Sequence, residues 1–224
     1  MTENAEGERG LRDGFRTVLP FGVAVLAFGI AFGVLAREAG MGTAAPVLMS
    51  LTTFAGSAQF AAAATIGEGG AAATAILAAV LLNARYAPIG VSVAPFMTGS
   101  PATRFLHAQL IVDESWAVAA EGEGRWNPRV LIGAGLGIYV TWVGGTMLGV
   151  AFGDLIGDPD RWGLDAAFPA LFLALLAPQV RERLPAIAAI IGAAIAVTLT
   201  PFTPPGVPIV VAGVACLLGL GSHR

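Results

Sequence analysis

The chain contains no lysine: all 12 of its basic residues are arginine, set against 15 acidic ones for a net charge of −3. Without lysine there is no Walker A sequence, so the chain does not itself supply that ATP-binding loop. Cys216 is the one cysteine, which excludes an internal disulfide and any multi-cysteine metal cluster. No basic run occurs, and nucleic acid is left without the electrostatic footprint it requires. Neither His-Glu-x-x-His nor Gly-x-Ser-x-Gly is present. An intramembrane serine hydrolase using Ser57 and His107 would lack both a nucleophile elbow and an orienting acid, so the chain reads as a non-enzyme with no cofactor. Charge itself is scarce, at 12% of residues where a soluble domain carries about 25%.

What fills the chain instead is apolar: 56% of its 224 residues are hydrophobic and the mean hydropathy is +0.77. Its 30 glycines and 14 prolines sit inside apolar runs, where they serve close helix packing and broken helices rather than disorder. The reading is an all-α, polytopic membrane protein: a polar segment 1–16, then a single transmembrane domain over 17–221. The first run, Thr17–Ala36, is longer than a signal-peptide core and lacks a small-x-small cleavage site, so it reads as a retained helix.

A bilayer core about 30 Å thick needs about 20 apolar helical residues. Seven runs qualify or nearly do so: 17–36, 45–66, 71–94, 130–152, 166–180, 185–200 and 206–221. An eighth, 105–121, reaches only about 25 Å as a helix. Cytoplasmic loops are enriched in arginine and lysine. If 105–121 crosses and the N-terminus is cytoplasmic, eight arginines fall inside and three outside. If it does not cross, the better orientation gives seven against four. Eight spans with both termini in the cytoplasm is the expectation, and seven is the alternative. Gly29-x-x-x-Gly33 and Gly145-x-x-x-Gly149-x-x-x-Gly153 form a weak internal echo. It is compatible with two four-helix repeats that enter from the same side and contain broken helices.

Four polar features interrupt the apolar runs. Phe54-Ala-Gly-Ser-Ala-Gln-Phe60 places Gly56, Ser57 and Gln59 in an apolar segment. They serve either helix packing or an unwound stretch whose backbone and Gln59 amide meet a polar solute. Asn83-Ala-Arg85-Tyr86 lies inside the third run. Arg85 either snorkels to the interface or is buried against a carboxylate, for which Asp113 and Glu114 are the candidates. Ionisable groups at bilayer depth cost about 2.5–3.5 kcal/mol each and mark solute pathways, although a surface helix would also accommodate the acidic pair. Asp165, one turn before Pro169, marks either an ordinary helix start or a site.

These segments, with Trp142-x-x-Gly-Thr146 and Gly163-Leu-Asp-x-x-Phe-Pro-Ala-Leu-Phe172, resemble in order and spacing the AzlC family, the large subunit of bacterial branched-chain amino acid exporters. The similarity runs from about Gly14 to Gln179. Tyr86 departs from it, standing where the family pattern has His. The resemblance implies secondary transport that exports leucine, isoleucine or valine across the cytoplasmic membrane, with a small AzlD-type membrane subunit as partner. On that reading Arg85 receives the carboxylate of the amino acid and Asp113 or Glu114 its ammonium or a coupling proton. Gln59 and the backbone at Gly56 and Ser57 complete the polar end, while Phe54, Phe60 and Phe168 line the tail. A scaffold or receptor, or a passive channel for another small solute, are the competing readings.

Overall fold

The computed structural model describes residues 10–84, 86–156, 173, 176–177, 180–181, 183–204 and 207–215. Arg85, Asp165, Phe168 and most of the run 166–180 lie outside the described residues. The described chain is mostly helical, as its composition requires. α1 (Leu11–Glu38) and α8 (Pro128–Ile156) are the long elements, with 28 and 29 residues. At 1.5 Å per residue each is about 42 Å long or slightly more, enough to cross a hydrocarbon core of ~30 Å. They are the two described helices whose length and composition suit a membrane crossing.

Both long helices begin with side-chain caps. The Gly10 amide donates to Asp13 Oδ2 at 2.7 Å, and the Arg129 and Val130 amides donate to Asn127 Oδ1. Such bonds satisfy first-turn donors that the helix cannot.

α1 and α8 run parallel and touch along their whole length: Gly133 meets Leu11, Gly22 meets Thr141, and Gly153 meets Val34. Glycine makes the approach possible. A Cβ at Gly29 would sit 2.7 Å from Trp142 O, and one at Gly33 2.5 Å from Thr146 O. From the other side, Gly145 and Gly149 press on the carbonyls of Leu26 and Ile30. The two Gly-x-x-x-Gly stretches that echo each other in the sequence are therefore partners in one interface, of the small-residue kind that joins helices in lipid. Arg37, in the last turn of α1, donates from Nη1 to Val150 O at 2.8 Å.

Around this pair stand shorter helices: α2 (Ala44–Thr52), α3 (Gly56–Gly67), α4 (Ala72–Asn83), α5 (Tyr86–Val93, continued by a 3-10 turn to Phe96), α6 (Pro101–Ala108) and α7 (Asp113–Ala119). The run 45–66 is thus two helices. The run 71–94 is likewise two helices, bent by 41°. The run 105–121, expected as one helix, is instead the end of α6, a break at 109–112, and α7. A two-stranded hairpin (Ala120–Gly122 with Arg125–Trp126) then closes on Glu123 and Gly124, whose positive φ values of 51° and 72° suit a tight hairpin turn. Helices Arg183–Leu199 and Val207–Ala212 follow and pack on one another. The buried core centres on Phe32, Phe60 and Trp142, with Phe32 stacked on Trp142 at 6.1 Å and Phe60 edge-on to both.

Candidate functional site

In lipid every backbone polar group freed by a helix break needs a partner or a polar cavity. The first break, between α2 and α3, shows where such groups go. Phe54 takes φ = 43°, the left-handed region that a bulky residue rarely adopts. Its ring is held edge-on against Tyr139 at 5.0 Å. At the end of α2, Leu51 O accepts the Tyr139 hydroxyl at 2.9 Å and Thr52 O accepts Gln109 Nε2 at 2.6 Å. On the α3 side the Ala55 amide donates to Gln59 Oε1 at 3.1 Å. The break is thus fixed by side chains from α8, from the 109–112 break and from α3 itself.

Gln59 is fully buried and does more than this. Its Oε1 also accepts Trp142 Nε1 at 3.0 Å, and its Nε2 donates to Ser50 Oγ at 2.8 Å. Ser50 Oγ lies 2.8 Å from Thr146 Oγ1, which donates to Trp142 O at 3.0 Å. One amide therefore ties α2, α3 and α8 together, with three of its four hydrogen-bonding positions taken by protein.

The second break lies between Asn83 and Tyr86, and the third at Gln109–Val112. Beside the second, Asn83 Oδ1 is buried and without a partner among the described residues. At the third, Ser115 Oγ accepts the Val112 amide at 2.9 Å and lies 2.8 Å from Leu110 O, so one fully buried hydroxyl closes the turn. Asp113 and Glu114 follow in the first turn of α7, where carboxylates are favoured by the helix dipole.

All three breaks meet at one cavity of about 90 Å³. Phe54, Gly56 and Ser57 come from the first break, Tyr86 from the second, and Val112, Asp113 and Glu114 from the third. The remaining wall is Val25 and Phe28 of α1 and Ile138 and Trp142 of α8. These four lie close to the middle of helices that run 11–38 and 128–156, so the cavity sits at mid-height of the long pair. It is bordered by the acidic residues Asp113 and Glu114 on one side, and on another by the N-terminus of α3, where the helix itself leaves the Gly56 amide unbonded. The rest of the wall is aliphatic and aromatic.

Of the residues singled out from the sequence, Phe54, Gly56, Ser57, Asp113 and Glu114 are brought together here. Gln59 is not on the wall: it stands behind it, its amide engaged with Ser50, Ala55 and Trp142. Asn83 is beside the second break but outside the cavity lining, and Phe60 packs in the core against Phe32 and Trp142. Arg85 and Asp165 lie outside the described residues. His107, on α6, is not among the residues that line the cavity with Ser57. Nothing in the sequence marks Ser50 and Thr146 as partners in the network behind the cavity. Small hydroxyl residues inside apolar runs carry little signal until their partners are known.

The sequence model described as AzlC protein matches residues 20–156. An uncharacterized membrane protein of Archaeoglobus fulgidus is 35% identical, over 77% of this chain and 77% of its own length. The inner membrane protein YgaZ of Escherichia coli is 27% identical over 95% of this chain and 89% of its own. A Bacillus subtilis relative named branched-chain amino acid transport protein AzlC is 25% identical over 80% of this chain and 71% of its own. No solved structure shows a significant match to the chain.

Proposed function

The chain belongs to the AzlC family, and from that premise we propose that it is a secondary transporter exporting leucine, isoleucine and valine across the cytoplasmic membrane. It is a membrane transporter by family. The observation that carries the finer reading is the meeting of three helix breaks at mid-height of the long pair. Transporters place solute sites near the midplane, between discontinuous helices whose N-termini meet the anionic group of the solute.

In this assignment the substrate carboxylate lies at the start of α3, by Gly56 and Ser57, and the ammonium by Asp113 and Glu114. Its branched tail lies against Val25, Phe28, Phe54, Ile138 and Trp142. Arg85, next in sequence to the wall residue Tyr86, is assigned to the carboxylate or to the acidic pair, and Asp165 is kept as a further candidate. Gln59 acts as a positioning residue that holds Trp142 and the first break in place. The transport partner is a small AzlD-type membrane subunit, and both termini face the cytoplasm.

The parallel packing of α1 and α8 supports the span count. Between residues 38 and 128 the chain must return to the side on which α1 began, which takes an odd number of crossings. One crossing or three meets that condition, and in our reading segments 44–67, 72–96 and 101–119 are the three, with the broken α6–α7 segment as one of them. With the runs 166–180, 185–200 and 206–221 assigned as later spans, the proposed total is eight.

Substrate-driven counterflow in proteoliposomes tests the reading, with leucine, isoleucine, valine, alanine and lysine, and with and without the partner subunit. Accumulation of labelled leucine against preloaded leucine or valine is expected. Uptake that merely equilibrates marks a channel, and no flux with bound leucine marks a receptor.

A further inference from the structure

A second cavity, of about 440 Å³, lies between α5 and α6. Its volume falls within the ~300–1,000 Å³ usual for small-molecule pockets, whereas the central cavity, at about 90 Å³, is smaller than that range in this conformation. Its lining is mainly apolar, with Val93, Met97, Phe105 and Ile111 prominent, and Arg104 is its only ionisable lining residue. Arg104 and Phe105 are exposed on its open side, and among the described residues nothing pairs with the Arg104 guanidinium. A guanidinium recognises a carboxylate through two parallel hydrogen bonds, and the surrounding wall suits a short aliphatic chain.

The position of this cavity gives it a purpose. Ile111 lines it, while the next residue, Val112, lines the central cavity. Along α5, Tyr86 belongs to the central cavity and Gly90, one turn on, to the second. The two spaces are therefore separated by the thickness of the third break. That partition is non-helical, and its amides are held locally: Leu110 N donates to His107 O at 3.0 Å and Ile111 N to Ala108 O at 3.1 Å. Ser115 Oγ closes it through Val112 N and Leu110 O, and Leu110 O sits on Gly135 of α8, where any Cβ would collide with it. The charges are also ordered, a cation in the second cavity and two carboxylates in the central one.

We propose that the cavity between α5 and α6 is a peripheral station for aliphatic amino acids, with Arg104 holding the carboxylate, and that the Leu110–Val112 segment is the gate between it and the central site. The proposal rests on the transport reading above and extends it to the route.

The test uses the full-length chain in proteoliposomes, in a Cys216→Ala background, with one reporter cysteine at a time: Ala94→Cys in the peripheral cavity or Ile138→Cys in the central one. Alkylation by N-ethylmaleimide is timed with leucine, with 4-methylpentanoate (no ammonium) and with leucinamide (no carboxylate). Leucine and 4-methylpentanoate should slow alkylation at position 94 at least threefold, and leucinamide should not. Arg104→Gln should abolish that protection while leucine still protects position 138, and Arg104→Lys should restore part of it. Protection by leucine at 138 alone overturns the station and leaves the transport reading standing. So does protection at 94 that survives Arg104→Gln, or that follows lipid composition and not leucine. Protection at 94 alone keeps the station and removes the central site. Protection at neither position removes both.

Discussion

Gln59 shows how one side chain separates a packing role from a binding role. Replacing it by leucine leaves Trp142 Nε1 and the Ala55 amide without their acceptor. An unsatisfied buried donor costs about 1–3 kcal/mol, so Gln59→Leu should lower stability by on the order of 2 kcal/mol or more. The measurement is thermal unfolding followed beside leucine binding. A lower melting temperature with near-normal affinity in the folded fraction is expected. A tenfold loss of affinity at unchanged melting temperature would instead make Gln59 a ligand. Gly56 makes the complementary prediction. A Cβ there would stand 2.9 Å from Trp142 Cη2, on a ring held by the Gln59 bond and the Phe32 stack. Gly56→Ala should therefore tilt the indole into the cavity and weaken leucine binding several-fold. Overpacking of this kind costs about 1–3 kcal/mol. Unaltered binding by equilibrium titration would show that the ring moves away from the site.

At the scale of elements, the α1–α8 contact predicts opposite outcomes for neighbouring glycines. Gly145 presses on Leu26 O, whereas a Cβ at Gly144 would meet nothing within 4 Å. Gly145→Ala should cost about 1–3 kcal/mol by forcing the helices apart. Gly144→Ala should be neutral or stabilise by up to about 1 kcal/mol through reduced backbone freedom in the unfolded chain. Thermal unfolding of the two variants in one detergent decides it, and equal losses would mean that the helices are not in contact at this level. The same contact gives the echoing glycine stretches a physical meaning, since two helices that enter from the same side lie together at the centre.

For the whole molecule, the parallel pair constrains topology. Single cysteines replacing Pro101 and Glu123, in a Cys216→Ala background, should label from opposite sides of the membrane. Those replacing Arg12 and Arg129, at the starts of α1 and α8, should label from the same side. Impermeant maleimide applied to intact cells and to inverted vesicles distinguishes these patterns. Labelling of positions 101 and 123 from one side would remove the crossing by α6–α7 and the eight-span arrangement with it.

The sequence by itself determined the class of the protein and the places where its apolar runs fail. Hydropathy and scarce charge act on every residue independently, so a membrane chain is legible from composition. A polar residue in an apolar run is conspicuous for the same reason, as Ser57, Asp113 and Glu114 are, and these three share a cavity. The tertiary structure alone decided which of the marked residues face the cavity. Gln59 and Ser57 are two residues apart in α3, and only the positions of Ser50 and Trp142 turn one amide inward as a bracket. The same holds for 105–121, whose hydropathy resembles a single helix. Its break depends on one buried serine and on a glycine of α8, 20 residues further along the chain from that serine. Periodicity reports what a segment buries, whereas a break is stabilised by partners distant in sequence, and those exist only once the helices have packed.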